Sequence, residues 1–492
     1  MKDRGNSWAL FVLLLFILGW VGAWSCAGAE EPGMAVDRLP SIFPDYTQTV
    51  IPPGIAPLNF RVREPGVGYR LLIRSAQGTP IRLDQSGPLI RIPLRPWKSL
   101  LQANPGQELY FDVAVQNQRH EWQRFLTITN SIAREDMDGY LAYRLLKPLY
   151  SVYVNVGIYQ RNLRTFEEKP ILQNRGFGGC LNCHTFLNRR PDTFALHIRS
   201  ETKPMLLVVS NRVSRVDKPM GYMSWHPSGR LIAFSSNKLS LFYHTIGETR
   251  DVFDADSNLG IYRVDSNTFV NPPPINLPER NETWPSWSPD GRYLYFASAR
   301  KVAANRYRTV RYDLMRVGYD IGEDRWGEPE TIVAAQETGL SAAQPRVSPD
   351  GKWLLFCLYK YGNFPIYQPS SDLYVMDLGT RQFRRLEINS DQADSWHSWS
   401  GNSRWIVFSS KRIDGLFARP HFSYVDGQGR FSKPFVLPQA DPAFYDSYLN
   451  TFNVPEFVEG PVQISQDALT RALGSGQRSG ATKAPRSPSR EQ

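Results

Sequence analysis

Ser286-Trp287-Ser288-Pro289-Asp290-Gly291-Arg292, followed by Tyr293-Leu294-Tyr295-Phe296, decides the fold because the chain repeats it. Three further copies share the pattern. They are Ser224-Trp225-His226-Pro227-Ser228-Gly229-Arg230 before Leu231-Ile232-Ala233-Phe234, Val347-Ser348-Pro349-Asp350-Gly351-Lys352 before Trp353-Leu354-Leu355-Phe356, and Ser398-Trp399-Ser400-Gly401-Asn402-Ser403-Arg404 before Trp405-Ile406-Val407-Phe408. Pro and Gly build a tight turn, and the strand after it sends alternate apolar side chains, such as Leu294 and Phe296, to one face. A second strand follows in each unit and tends to end on an acid, as in Gly260 to Asp265, Leu373 to Asp377 and His421 to Asp426.

One such unit cannot bury its apolar face alone. Radial stacking of copies into a β-propeller solves that problem and leaves only short sheet edges. Spacings of 62 residues from Gly229 to Gly291, 60 to Gly351 and 52 to Ser403 exceed the roughly 40 to 45 of compact blades, so loops are inserted. A degenerate fifth copy starts at Pro191-Asp192, with Leu196 and Ile198 expected at the positions of Leu294 and Phe296.

Ser-x-Ser-Pro-Asp-Gly-Arg/Lys before an aliphatic-x-Phe strand resembles the propeller repeat of TolB, the periplasmic partner of the Tol–Pal system, over residues 185 to 455. The resemblance implies a sixth blade from residues 413 to 457. The expected fold is therefore all-β, a five- or six-bladed propeller preceded by a small β-sandwich-like domain.

Outward from the repeats, residues 1–29 have the form of a signal peptide: Lys2 and Arg4, an apolar run from Ala9 to Trp24, then Ala27-Gly28-Ala29. That run is about 16 residues, shorter than the roughly 20 of a bilayer span, so the mature chain is expected to have no membrane span. A lipid anchor at Cys26 stays open as an alternative, although Trp24 fits a lipoprotein signal poorly. Residues 30–57 read as an extended Pro-rich lead-in, 58–135 as the sandwich-like domain, and 136–184 as an aromatic connector. Residues 185–457 are the expected propeller and 458–492 a disordered basic tail.

The formal charge of +10 is spread along the chain, with no basic run interleaved with aromatics, which points away from nucleic-acid binding. Four cysteines occur. Cys357 sits in an apolar strand and reads as a buried thiol. Gly178-Gly179-Cys180-Leu181-Asn182-Cys183-His184 holds Cys-x-x-Cys-His, the attachment signature of a c-type haem, in which both thiols bond the ring and the imidazole of His184 ligates iron. A short disulfide, a zinc site and a thioredoxin-like pair compete with that reading.

The distal-ligand candidates are His197, His226, His244, Met220 and Met223. His197 alternates with Leu196 and Ile198 and is expected to face away from them. The spacing of the motif from Pro191 places the haem at the junction of the sandwich and the propeller, near Tyr150, Tyr153 and Tyr159 and beside Gly176, Gly178 and Gly179.

The segments Ile55 to Phe60, Gly157 to Arg161, Cys180 to Phe186, Phe444 to Asp446 and Asn453 to Glu456 also resemble a group of uncharacterised exported bacterial proteins that join an N-terminal domain, a Cys-x-x-Cys-His linker and TolB-like repeats. Asp254 to Gly260 has oxygen ligands at some calcium-loop spacings but no closing Glu, and reads as a polar interblade loop. No hydrolase motif is present. Two functions follow as expectations: an envelope protein carrying one covalent haem c for electron transfer or redox sensing, or a haem-free TolB-like scaffold that binds envelope proteins and keeps the Cys pair for structure. An enzyme ranks behind both.

Overall fold

A computed structural model describes residues 33–146, 156–174, 180–199, 204–242, 251–474 and 482–483. The signal-like segment, Cys26, Tyr150, Tyr153, Gly176, Gly178, Gly179 and His244 lie outside them.

The repeated turn behaves as its chemistry dictates. Ser288 Oγ donates to Asp290 Oδ1 at 2.6 Å, Asp290 Oδ1 accepts from the Arg292 amide, and Ser288 Oγ accepts from the Tyr293 amide at 3.0 Å. Ser348 with Asp350 and Ser400 with Asn402 repeat the same bonds. Left-handed backbone is needed at the last turn position, where Gly229, Gly291 and Gly351 sit at φ of 74°, 73° and 73°, and where Ser403 takes φ 60°.

These turns join strands within six sheets found among the described residues, antiparallel except where Thr482–Lys483 adds in parallel to Thr268–Val270. Their first strands are Cys180–Phe186, Gly221–Trp225, Arg280–Trp287, Ser341–Val347, Asp394–Trp399 and Thr451–Val458. Each contacts the next and the last contacts the first, so the six surround one axis. The chain is a β-propeller. Its apolar clusters lie between neighbouring sheets: Leu294 and Phe296 meet Ile261 of the preceding sheet, and Trp287, 6% exposed, lies in the same cluster.

The sheet that closes the ring is built from both ends of the fold. Thr451–Val458 pairs with Tyr140–Leu146, which pairs with Gly157–Asn162, which pairs with Glu168–Gln173. The segment read as an aromatic connector is thus three strands, and residues 413–457 do not form a blade by themselves. Arg419–Tyr424 and Phe435–Val436 instead complete the sheet of Asp394–Trp399. Closing the ring in this way gives Thr451–Val458 a ladder partner in Tyr140–Leu146 and sets it between Asp394–Trp399 and Cys180–Phe186.

The N-terminal part holds a seven-stranded sheet, a three-stranded sheet and a helix, Leu94–Gln102, that buries Trp97, Leu100 and Leu101. That helix was not expected. Its apolar residues recur at three- and four-residue spacing within a stretch bounded by Pro93 and Asn104. Three short strands, Met34–Val36, Ile42–Phe43 and Val50–Ile51, replace the extended lead-in. Leu126 falls at 48% exposure between Trp122–Phe125 and Ile128–Ile132. The N-terminal core continues into the last repeat sheet through Trp405, Val407, Phe422 and Phe435. Trp405 Nε1 donates to the Glu135 carbonyl at 3.0 Å, and Asn59 Nδ2 donates to the Gln439 carbonyl at 3.0 Å.

In the tail, Gln466–Gly474 forms a helix that buries Leu469 beside Val462, with Ala472 and Leu473 partly buried in the same cluster. The composition of 458–492 hid this short amphipathic face. In the degenerate copy, Leu187 N bonds the Thr193 carbonyl as Ser288 N bonds that of Tyr293, so Phe194 and Leu196 match Leu294 and Phe296. The expected face is correct and the register is two residues off, because the turn is built differently there.

Candidate functional site: the axial cavity

All six first strands carry a β-bulge at the same level. Pairing slips at Asn182-Cys183, Tyr222-Met223, Trp284-Pro285, Gln344-Pro345 and Trp396-His397, and the closing strand slips at Val454-Pro455. Five of these bulges hold a non-glycine residue at positive φ: Tyr222 at 39°, Trp284 at 56°, Gln344 at 57°, Trp396 at 50° and Val454 at 50°. A bulge re-aims the side chain that follows it. Here the following residues are His184, Ser224, Ser286, Arg346, Ser398 and Glu456, and all six line one cavity of about 190 Å³ on the axis. Pro227, Pro289 and Pro349 of the repeated turns stand around it. On its other side an aromatic layer crosses the axis: Tyr222 stacks on Trp284 with ring centres 3.7 Å apart, and Trp284 meets Trp396 edge-on at 5.0 Å.

Where the repeats place Ser224, Ser286 and Ser398, the other three sheets place His184, Arg346 and Glu456. His184 is fully buried and neither ring nitrogen has a hydrogen-bond partner. Burial, with the nearby Arg144 charge, pulls its pKa down to about 3, so the imidazole is neutral. Glu456 accepts from the Phe186 amide at 2.9 Å, and its other oxygen lies 3.9 Å from His184 Nε2. Burial pushes its pKa up to about 7. Ser398 Oγ, Trp287 Nε1 and Trp396 Nε1, from residues that also line the cavity, are buried without partners. The sequence carried the signal that finds Arg346 and Glu456, since both occupy the repeat column that elsewhere reads Ser, directly before an apolar residue. The column is silent when the repeats are matched on their turns, because it lies before the turn on the first strand.

The Cys-x-x-Cys-His segment is a first strand and not a linker. Cys180 and Cys183 are free thiols, 3% and 5% exposed. Arg144 Nη2 lies 3.2 Å from Cys180 Sγ, Cys183 packs in the core cluster of Tyr222 and Trp284, and His184 faces the cavity. The donor types are those of a covalent haem. The space is not: the cavity reached by His184 is bordered by neither thiol, and its volume lies below the roughly 300 to 1,000 Å³ of clefts that enclose drug-sized ligands. As packed here, the three residues do not take one macrocycle. The segment borders the axis, and the N-terminal core meets both the sheet of Asp394–Trp399 and the closing sheet of Tyr140–Leu146 and Thr451–Val458, which lies beside Cys180–Phe186.

Of the distal candidates, His197 faces away from Leu196 and Ile198 as expected and lies 3.1 Å from Asn182 Nδ2 through Nδ1. His226 is engaged in its turn, through Ser228 Oγ at 2.8 Å and the Gly291 carbonyl at 3.2 Å, and its ring meets Trp287 edge-on. Its position as a spacer between two turns accounts for the His. Met223 lines the cavity, and Met220 is core. Asp254 to Gly260, expected as a loop, runs inside the strand Asp251–Arg263. There Asp254 accepts from Asn237 at 2.7 Å and Asn363 at 3.0 Å, and burial raises its pKa to about 7. Among the described residues no three His, Cys, Asp or Glu side chains cluster as a metal site, and no helix is long and apolar enough to cross a membrane.

No protein-family model and no curated protein matches the chain. Solved structures do. A GH74 enzyme of Niastella koreensis aligns at 10% identity and TM-score 0.38 over 62% of this chain and 46% of its own. The Dos1 propeller aligns at 14% and 0.31 over 53% and 62%, and the β-propeller domain of the trilobed protease from Pyrococcus furiosus at 13% and 0.33 over 67% and 90%. The chain spans less than two thirds of the first two. At such values the likeness carries no argument about function.

Proposed function

We propose that this protein is a six-bladed propeller of the cell envelope, exported through residues 1–29, that binds a small polar solute in its axial cavity. One observation carries the reading: six equivalent bulges aim six side chains at one cavity, and the residues that line it include buried polar atoms that no protein atom satisfies. Unsatisfied buried groups cost about 1 to 3 kcal/mol each, and a bound solute recovers that cost. Backbone strain repeated around an axis is the kind that persists where function requires it. In this reading the TolB-like architecture serves as a scaffold, Cys180 and Cys183 are structural thiols of the cavity wall, and no chemical step is assigned. The test uses the tryptophans that line the cavity. A bound solute should change intrinsic fluorescence saturably, and Ser286→Phe, which fills the space, should abolish the change. A response that survives Ser286→Phe places binding elsewhere.

A second reading, one covalent haem c on Cys180 and Cys183 with His184 as iron ligand, is favoured by the unpartnered imidazole and the two free thiols. It requires the first strand to leave its present packing. A haem stain of the denatured protein, made alongside a cytochrome c maturation system, separates the two readings.

A further inference from the structure

We propose that the solute is a small oxyanion, a carboxylate or a phosphate, held by the guanidinium of Arg346. The inference rests on the cavity reading above and adds the charge and chemistry of the occupant.

Arg346 stands on the strand Ser341–Val347, and its guanidinium makes one bond, from Nη1 to the Pro345 carbonyl at 3.1 Å. Among the described residues no carboxylate lies within ion-pair distance of it. Arg189, the other arginine at the cavity, differs: it has Asp138 at 3.7 Å and Glu459 at 3.6 Å. Burial lowers the Arg346 pKa, and Glu456, beyond ion-pair distance, only partly opposes that shift through space. A guanidinium presents a planar fork that matches carboxylate and phosphate oxygens.

The rest of the wall agrees. Ser398 Oγ, Trp287 Nε1, Trp396 Nε1 and the His184 ring are buried without partners in residues that line the cavity. Glu456 is the only carboxyl on this wall, and with its pKa raised to about 7 it is substantially protonated near neutrality. The lining therefore offers many donors and little negative charge, which suits an anion and disfavours a cation. The volume of about 190 Å³ limits the anion to a small one.

The experiment titrates the mature chain with acetate, succinate, inorganic phosphate, glycerol and ethanolamine, each followed by tryptophan fluorescence and calorimetry. At least one of the three anions should bind saturably, with the organic and inorganic arms separating carboxylate from phosphate, and glycerol and ethanolamine should not. Arg346→Gln should weaken binding by about tenfold or more, Arg346→Lys by less, and Glu456→Gln should tighten it. A melting curve confirms that each variant folds. Glycerol or ethanolamine binding as well as the anions, with Arg346→Gln unchanged, overturns the anion and leaves the cavity reading standing. Silence from every probe overturns both.

Discussion

Two glycines at the same turn position separate backbone cost from crowding. Gly291 and Gly351 share φ of 73°, but a Cβ on Gly291 would sit 2.3 Å from His226 Nε2, whereas nothing lies within 4 Å at Gly351. Gly351→Ala should cost about 1 to 2 kcal/mol through the left-handed backbone alone. Gly291→Ala must also displace the His226 ring and should cost more, as read by urea denaturation of both variants. Equal costs would show that the His226 contact is soft. Glu456 gives a prediction about pH. Its folded pKa of about 7 lies above the unfolded value of about 4.3, so between these pH values the folded state holds a proton that the unfolded state has released. Stability from this group is full below the lower value and falls as pH rises toward about 7. Glu456→Gln should therefore reduce the stability lost between about pH 5 and 7.5 by about 1 to 3 kcal/mol, with Asp254 and Glu282, also raised to about 7, keeping part of the slope. Identical slopes in the two proteins would contradict the raised pKa.

At the scale of the element, Trp287 and Trp399 occupy equivalent ladder positions, opposite Leu294 and Ile406, and both are 6% exposed. Trp287→Ala should destabilise by about 3 to 5 kcal/mol through a core cavity, and a loss within about 0.5 kcal/mol would show that the indole is not core. The elements most legible in the sequence are those with a local cause. Ser288, Asp290 and Gly291 close their turn among themselves, so each copy announces a turn and the strand after it. Tyr140–Leu146 and Thr451–Val458 were not legible as one sheet, because their pairing joins residues some 300 apart and neither strand carries the turn motif. The bulges were hidden for a related reason. A bulge is a mismatch between two strands, and nothing in Tyr222-Met223 or Gln344-Pro345 alone reports it. His184 was legible as chemistry, through its cysteines, but its place on the axis came from the ring that the whole chain closes.

For the whole molecule, closure by the strand Thr451–Val458 makes the two ends of the fold interdependent. A chain ending at Asn450 should lose cooperative unfolding, because Tyr140–Leu146 would then lack its inner neighbour and the cluster holding Phe452 and Phe457 would open. A chain ending at Gly474 should melt as the full protein does. Loss of cooperativity in the second and not the first would invert the assignment. The same closure makes Cys180–Phe186 an axial wall with its thiols free and its imidazole turned to the axial cavity, and this arrangement is the central claim. It is tested most directly by the intact mass of the mature protein produced alongside a cytochrome c maturation system, before and after thiol alkylation under native and denaturing conditions. The account predicts the mass of the polypeptide alone, with Cys180 and Cys183 alkylated only after unfolding. A mass increase of one haem that disappears in the Cys180→Ser, Cys183→Ser double variant would contradict it.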